Sequence, residues 1–494
     1  MTYAFYFDSA YCTGCKACQV ACKDKNHLPI GVLWRRVYEI SGGSWQNVGV
    51  GSPTPGAGEP SPYPVWQTDV FAYNLTLACN HCEHPVCAGV CPTQAYSKRE
   101  DGLVLLDTAK CVGCQYCSWA CPYGAPQYDV DAGHMTKCNF CADSLEVGQP
   151  PACVAACPMR TLDFGQRVDL EARPGVLPAV YPMSQTASRD PNILIKPHAQ
   201  TEKALRAGAS IANLEEVQPR STRSPETPLI AFTLLAQMAI GAFWAVTLIL
   251  FGLPYHYLGE QNILGPMWAV GSLIAIALAA SLFHLGAPKK AWRALSHLRK
   301  SWLSREILSM LAFAGLWLLT LFLWMQPYGD IIYSNTLFLR NILAIVTALT
   351  GAAGIYNMAH VYRLKTVPAW CNWRIMVGFF VTAFLLGQLL TASFLAADEL
   401  RGSPVSSYAA LLAQTGVGLA LLLGIQFWLV MSGGQSADVT VHRLRLGLIG
   451  AGMLGAVAMS IAVEKAGAWI MFPIFLVILV EEIMGRWLFY RLRQ

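Results

Sequence analysis

CTGCKACQVAC runs from Cys12 to Cys22 and CVGCQYCSWAC from Cys111 to Cys121, two copies of the spacing C-x2-C-x2-C-x3-C. Two variant quartets lie at Cys79, Cys82, Cys87 and Cys91 and at Cys138, Cys141, Cys153 and Cys157. All four begin CxxC, and three end in Cys-Pro, at Pro92, Pro122 and Pro158. One cysteine pattern recurring four times argues for duplicated units.

The spacing carries chemistry. A 4Fe-4S cube has four iron corners. A tight loop with a cysteine at every third residue reaches three of them and becomes too short for the fourth, so a remote cysteine closes the cube. This crossing couples motifs two by two, and four motifs predict four clusters. Zinc sites also use CxxC, but as two pairs across a longer span that leave the middle cysteine without a role. Disulfides serve sixteen crowded thiols poorly in a chain that starts MTYAFYFDSAYC, without the basic, apolar and small-residue pattern of an export leader. A thioredoxin-like pair needs one CxxC, not four quartets. The cysteine half is expected to be a wire for single electrons, on the cytoplasmic side, needing a donor and an acceptor.

Outward from the quartets the composition divides. The 494 residues are 54% hydrophobic and 13% charged, against roughly 25% charged in an ordinary soluble domain. That excludes a disordered chain, a coiled coil and an ordinary soluble enzyme. Up to Thr227 there are 18 Lys and Arg against 21 Asp and Glu; from Pro228 onward there are 17 against 9. Sixteen of the seventeen cysteines lie between Cys12 and Cys157, and the other, Cys371, reads as a plain free thiol. From residue 229, apolar runs of bilayer-spanning length, ~20 residues, recur at 229–253, 264–285, 307–325, 337–355, 375–395, 408–431, 444–463 and 469–490. The expected architecture is an α+β ferredoxin-like four-cluster domain at 1–165, an extended tail and linker at 166–227 ending in QPRSTRSPETP, and an all-α polytopic membrane domain of eight transmembrane helices at 228–494.

CTGCKACQVACKD, CNHCEHPVCAGVCPTQA, CVGCQYCSWACPYGAPQY, GHMTKCNFC, CPMRTLDFG, PNILIKPHA and ANLEEV together resemble the iron-sulfur subunit of the dimethyl sulfoxide reductase family. FHLGAPKKAWRAL, SWLSREILS and EEIMGRWLFY resemble that family's eight-helix membrane anchor subunit, so the whole resembles a natural fusion of the two. The resemblance implies the cluster ligands: Cys12, Cys15, Cys18 and Cys157 for one; Cys138, Cys141, Cys153 and Cys22 for another; Cys79, Cys82, Cys87 and Cys121 for a third; Cys111, Cys114, Cys117 and Cys91 for the fourth. In the related nitrate reductase subunit a tryptophan stands at the second cysteine of the third quartet and leaves a three-iron cluster. Cys114 is a cysteine, so four cubanes are expected.

A wire attached to a membrane domain is expected to meet a lipid-soluble donor, a quinol, and oxidising a quinol removes two protons with two electrons, so a proton acceptor is required near the ring. Ionisable groups in or at the ends of spanning helices are functional candidates by default. His284 ends the second apolar run and Glu306 opens the third, and one loop joins them, so both belong at one membrane face. A backbone-bonded helix-end histidine and a first-turn carboxylate favoured by the helix dipole are the plainer readings. The family resemblance implies quinol-binding roles for both. Glu481 and Glu482 read as interfacial snorkelling or as partners of Arg486.

The loop between the second and third runs holds Lys289, Lys290, Arg293, Arg299, Lys300 and Arg305. With Arg363, Lys365, Arg374, Arg443, Arg445, Arg486, Arg491 and Arg493 these make fourteen cations on the face shared with the cysteine half, against Arg340, Arg401 and Lys465 opposite. The positive-inside rule then predicts a multi-pass protein of a prokaryotic cytoplasmic membrane, with the cluster domain and both termini cytoplasmic. Catalytic partners in the resembled family often carry twin-arginine export signals, which would draw the domain outward; the charge count is the reading adopted. The resemblance implies an electron-transfer and anchor subunit, itself without the terminal chemistry. It would take electrons from a quinol, menaquinol being expected, and pass them to a molybdopterin subunit that reduces dimethyl sulfoxide or another S-, N- or Se-oxide. The same wire run in reverse as a dehydrogenase subunit reducing quinone, and an ion translocator fed by the clusters, stay open from sequence.

Overall fold

The computed structural model describes residues 2–47, 63, 65–181, 183, 190–207, 226–252, 261–325, 333–367, 369–400, 407–432, 439–466 and 468–491. It divides into two units, Met1–Arg223 and Ser224–Gln494. ANLEEV, most of the QPRSTRSPETP seam, Arg401 and Arg493 lie outside the described residues.

In the first unit β1 (Tyr3–Asp8) leads into the first quartet, whose last two cysteines ride on α1 (Ala17–Lys25). β2 (Arg36–Gly42), β3 (Trp45–Asn47), β4 (Trp66–Thr68) and β5 (Phe71–Leu77) follow, with β2 antiparallel to β5 and β3 to β4. The second quartet carries α2 (Val86–Val90) and then the hairpin β6 (Tyr96–Lys98) to β7 (Val104–Leu106). The third repeats this with α3 (Tyr116–Ala120) and the hairpin β8 (Gln127–Asp129) to β9 (His134–Thr136). The duplication expected from the cysteines is thus visible in the backbone. α4 (Ala142–Glu146) and α5 (Ala152–Ala155) frame the fourth quartet, and β10 (Leu162–Gln166) returns antiparallel to β1. Phe5 stacks on Phe140 at 4.0 Å between ring centroids, at the centre of a core that includes Phe7, Phe71, Leu75 and Leu103.

Part of the segment expected as tail and linker is folded into this unit. α6 (Arg167–Glu171) follows β10 directly, β11 (Ile193–Lys196) pairs parallel with β1 from Phe5↔Ile193 to Asp8↔Lys196, and α7 (Thr201–Arg206) comes after it. The physical reason is burial: Ile193, Leu194 and Ile195 are almost wholly buried, completing a sheet of order β10-β1-β11.

The second unit is helical: α8 (Thr227–Gly252), α9 (Gln261–Phe283), α10 (Trp302–Trp324), α11 (Tyr333–Tyr362), α12 (Trp373–Leu400), α13 (Ser407–Met431), α14 (Val439–Ala466) and α15 (Met471–Arg491). α8 to α14 are the seven described helices long and apolar enough to cross a membrane. α15 is similar in length but carries Glu481, Glu482, Arg486 and Arg491. Leu318, Leu349 and Ile461 point outward while Thr233, Gln237 and Thr347 are fully buried. That is the pattern of a bundle solvated by lipid, where small and polar side chains hold helices together. α8 and α12 pack through Gly241 and Gly387: a Cβ at Gly241 would stand 1.8 Å from the Ala383 carbonyl oxygen, so only glycine permits the contact.

Candidate functional site

Each CxxC turns through a residue in the left-handed region just before its second cysteine: Gly14 (φ 69), His81 (φ 43), Gly113 (φ 70) and Phe140 (φ 64). Glycine takes this conformation freely, and histidine or phenylalanine there is uncommon. The turn aims backbone N–H groups at sulfur: Gly113 donates to Cys111 Sγ at 3.4 Å and Phe140 to Cys138 Sγ at 3.3 Å. Ala95 N–H and Met135 N–H donate to Cys91 Sγ and Cys111 Sγ at 3.4 and 3.5 Å. At Gly14 space adds to conformation, because a Cβ would stand 2.6 Å from Asn74 Oδ1.

The sixteen sulfurs gather into four sets. Cys12 lies within electrostatic reach of Cys15, Cys18 and Cys157, and these four line one cavity. Cys22 reaches Cys141 and Cys153, and Cys138 reaches Cys22 and Cys153. Cys79, Cys82, Cys87 and Cys121 line a second cavity. Cys117 reaches Cys91, Cys111 and Cys114. The sets follow one another in space: Cys18 neighbours Cys153, Cys138 neighbours Cys79, and Tyr96 lies among Cys87, Cys91 and Cys117. Among the described residues no three His, Cys, Asp or Glu side chains converge on a point suited to a single metal ion. Sulfurs arranged around cavities and met by N–H donors fit a polynuclear iron-sulfur group, whose thiolates take such hydrogen bonds.

Burial pushes the Cys22 thiol up to about 12, with Cys153 adding to the rise and Arg35 opposing it. Burial likewise pushes Cys114 up to about 12, helped by Cys91. As bare thiols these groups keep their protons at neutral pH, and binding iron has to release them. Cys371 stands apart, exposed between α11 and α12.

In the helical unit His284 follows the last residue of α9 and is 9% exposed; Glu306 sits in the first turns of α10 and is 3% exposed. The turn Pro288–Leu295 links the two helices, so both groups belong to one end of the bundle. Glu306 Oε1 has no hydrogen-bond partner among the described residues. Tyr362 at the end of α11 and Tyr490 near the end of α15 lie within electrostatic reach of Glu306, and their hydroxyls are 2.6 Å apart. Beside them Trp302 packs on His360 at 4.4 Å between centroids, and Arg305 covers Trp302.

Glu481 and Glu482 do not snorkel, being 1% and 3% exposed. Glu481 takes two hydrogen bonds from Arg445 of α14, at 2.6 and 2.9 Å, rather than pairing with Arg486. Glu482 accepts from Thr382 at 2.9 Å and Gln426 at 3.4 Å, while Arg486 donates to Gln237 at 2.7 Å and lies 4.1 Å from the Phe379 ring centroid. Arg374, Thr382, Gln426, Arg445, Glu482 and Arg486 border a cavity of about 120 Å³. Sequence reasoning missed this network and the tyrosine pair; the available signal was the i, i+4, i+8 spacing of Glu482, Arg486 and Tyr490, which aligns them on one face of α15.

Comparisons with known proteins agree with this division. A family model for the DMSO reductase anchor subunit (DmsC) matches residues 221–492, and one for a 4Fe-4S dicluster domain matches 70–167. Over 215 residues the sequence is 46% identical to the B subunit of anaerobic dimethyl sulfoxide reductase of Escherichia coli (strain K12), covering 44% of this protein and 98% of that one. It is 36% identical over 183 residues to the formate dehydrogenase iron-sulfur subunit of Wolinella succinogenes, covering 33% of this protein and 80% of that one. It is also 36% identical over 165 residues to the thiosulfate reductase electron transfer subunit PhsB of Salmonella typhi, covering 33% and 76%. The chain therefore belongs to the DMSO reductase anchor subunit (DmsC) family and joins to that anchor an iron-sulfur domain of the dimethyl sulfoxide reductase kind, an electron-transfer and membrane-anchoring subunit of an oxidoreductase complex.

Proposed function

We propose that the protein oxidises a quinol, menaquinol, at His284 and Glu306 and delivers its electrons through four 4Fe-4S clusters to a molybdopterin subunit that reduces dimethyl sulfoxide or a related S-, N- or Se-oxide. The four sulfur sets described above are the ligand sets of that reading. Bound there, the clusters supply one-electron donor and acceptor chemistry along the domain. The protein's own residues do the rest. Backbone N–H groups of the CxxC turns hold the thiolates, and Glu306 Oε1, buried without a partner, accepts a hydroxyl proton of the quinol. His284 at the same end of the bundle takes the second, and Tyr362 and Tyr490 keep the surroundings of Glu306 polar. α15 completes eight spans, and the surplus of cations puts the cluster domain on the cytoplasmic face of a prokaryotic membrane.

The observation that carries this reading is the Glu306 carboxylate oxygen, without a hydrogen-bond partner among the described residues, at a membrane helix end. A buried acceptor left unmade costs about 1–3 kcal/mol, a cost that a donor on a ligand removes. The likeness to a formate dehydrogenase subunit supports a second reading, the same wire feeding a quinone. Glu306→Gln in the purified complex tests the site. Loss of quinol-analogue oxidation with iron content intact is expected; unchanged oxidation refutes the assignment.

A further inference from the structure

Arg35 is 1% exposed and among the largest fully buried side chains of the protein. Among the described residues it forms no ion pair with a carboxylate, and its Nε and Nη2 have no hydrogen-bond partner. Its Cζ lies 4.5 Å from the Phe5 ring centroid, and Nη1 donates to Thr76 Oγ1 at 3.4 Å. A lone cation buried in this way is costly and persists only where negative charge surrounds it.

The surroundings are cysteines. Thr76 Oγ1 is 3.7 Å from Cys18 Sγ, which joins Arg35 to the first sulfur set. The guanidinium lies against Cys153, the Arg35 backbone N–H meets Cys22, and Cys138 is within electrostatic reach, which joins it to the second set. The other two sets are served differently. Lys137 borders the cavity of Cys79, Cys82, Cys87 and Cys121, and Tyr96 sits against Cys117 of the last set.

We propose that Arg35 is the charge-setting residue of the two clusters held by the first and fourth quartets, its fixed positive charge raising their reduction potentials. This rests on the four-cluster reading above. A cluster becomes more negative on reduction, so a fixed cation favours the reduced form, and net local charge and hydrogen bonds to sulfur are the protein's levers on cluster potential. The Arg35 side chain stands within electrostatic reach of Cys18 in one set and Cys153 in the other.

The test is a redox titration followed by EPR on the full-length protein with its clusters, comparing wild type, Arg35→Gln and Arg35→Lys, with iron counted in each. Arg35→Gln should make two of the four steps harder to reduce by about tenfold in equilibrium constant, which is about 59 mV for a one-electron step, and leave the other two in place. Arg35→Lys, which keeps the charge, should recover most of the shift. Four unmoved steps in Arg35→Gln, or equal shifts in both variants, overturn the proposal. Should Arg35→Gln lose iron, retention by Arg35→Lys supports the role of charge and loss by both overturns it. A wild-type protein without four steps overturns the four-cluster reading, and the role of Arg35 with it, whatever the variants do.

Discussion

The two units bury polar atoms by opposite means. In the cysteine unit the sulfurs are placed by backbone, through four turns with positive φ and N–H groups that point inward at Cys91, Cys111 and Cys138. In the helical unit buried carboxylates and phenols are side chains on long helices that take partners from other helices: Arg445 for Glu481, Thr382 and Gln426 for Glu482, Tyr490 for Tyr362. Backbone placement makes each CxxC turn a local property of sequence, while the remote cysteine of each set is supplied by the fold. Side-chain placement makes the membrane network a property of the packed bundle, sensitive to any one member.

The largest contrast is within the cysteines. Cys153→Ser should remove one cluster's share of iron and stop electron transfer, whereas Cys371→Ser should change neither, since Cys371 is exposed and outside every sulfur set. Iron analysis of the purified variants reads this directly. Next comes Glu306→Gln, expected to slow quinol oxidation by about 10²–10⁴-fold, the usual contribution of a positioned acid or base, without loss of iron. A smaller effect, on stability, is expected from Arg445→Met. It leaves Glu481 buried and uncompensated, at a cost of about 3–5 kcal/mol, and the added change Glu481→Leu should return most of it in a thermal unfolding assay in detergent.

How much of this was legible beforehand follows from the same contrast. The quartets and their repetition lie in local spacing, and so do seven apolar runs. The joining of Cys157 to Cys12, Cys15 and Cys18 does not lie in spacing, because it needs β10 brought back beside β1; it comes from the family resemblance, and in the fold these four line one cavity. β11 lies in the segment that reads as linker, although Ile193 to Ile195 is a short apolar run between Pro191 and Pro197, the pattern of a buried strand. The partners of Glu481 and Glu482 were not legible, since α12, α13 and α14 meet α15 only in the fold. Arg35 was invisible for the same reason: nothing in WRRV distinguishes Arg35 from Arg36 until β2 packs against the cysteines.

Two milder tests sharpen the contrast. In iron-stripped protein Cys22 and Cys114 hold their protons to about 12, while an unfolded chain loses them near the ordinary 9.0. The unfolded state therefore binds fewer protons between these values, and the stability those thiols contribute is present below pH 9 and lost as pH rises toward 12. Bound iron, which displaces the protons, should flatten that dependence in a pH series of unfolding midpoints. Least of all, Glu202→Ala should change stability by no more than about 0.5 kcal/mol, because its pairing with Arg206 on α7 is a solvent-exposed i, i+4 contact.

One polypeptide that joins a quinol site to a cluster wire should reduce its own clusters directly. Mixing the purified, oxidised full-length protein with a menaquinol analogue and following the visible absorption of its clusters tests this in the absence of any partner. Rapid bleaching that Glu306→Gln abolishes, at unchanged iron content, is the predicted result. Absorption indifferent to quinol, or bleaching as fast in Glu306→Gln as in wild type, would contradict it.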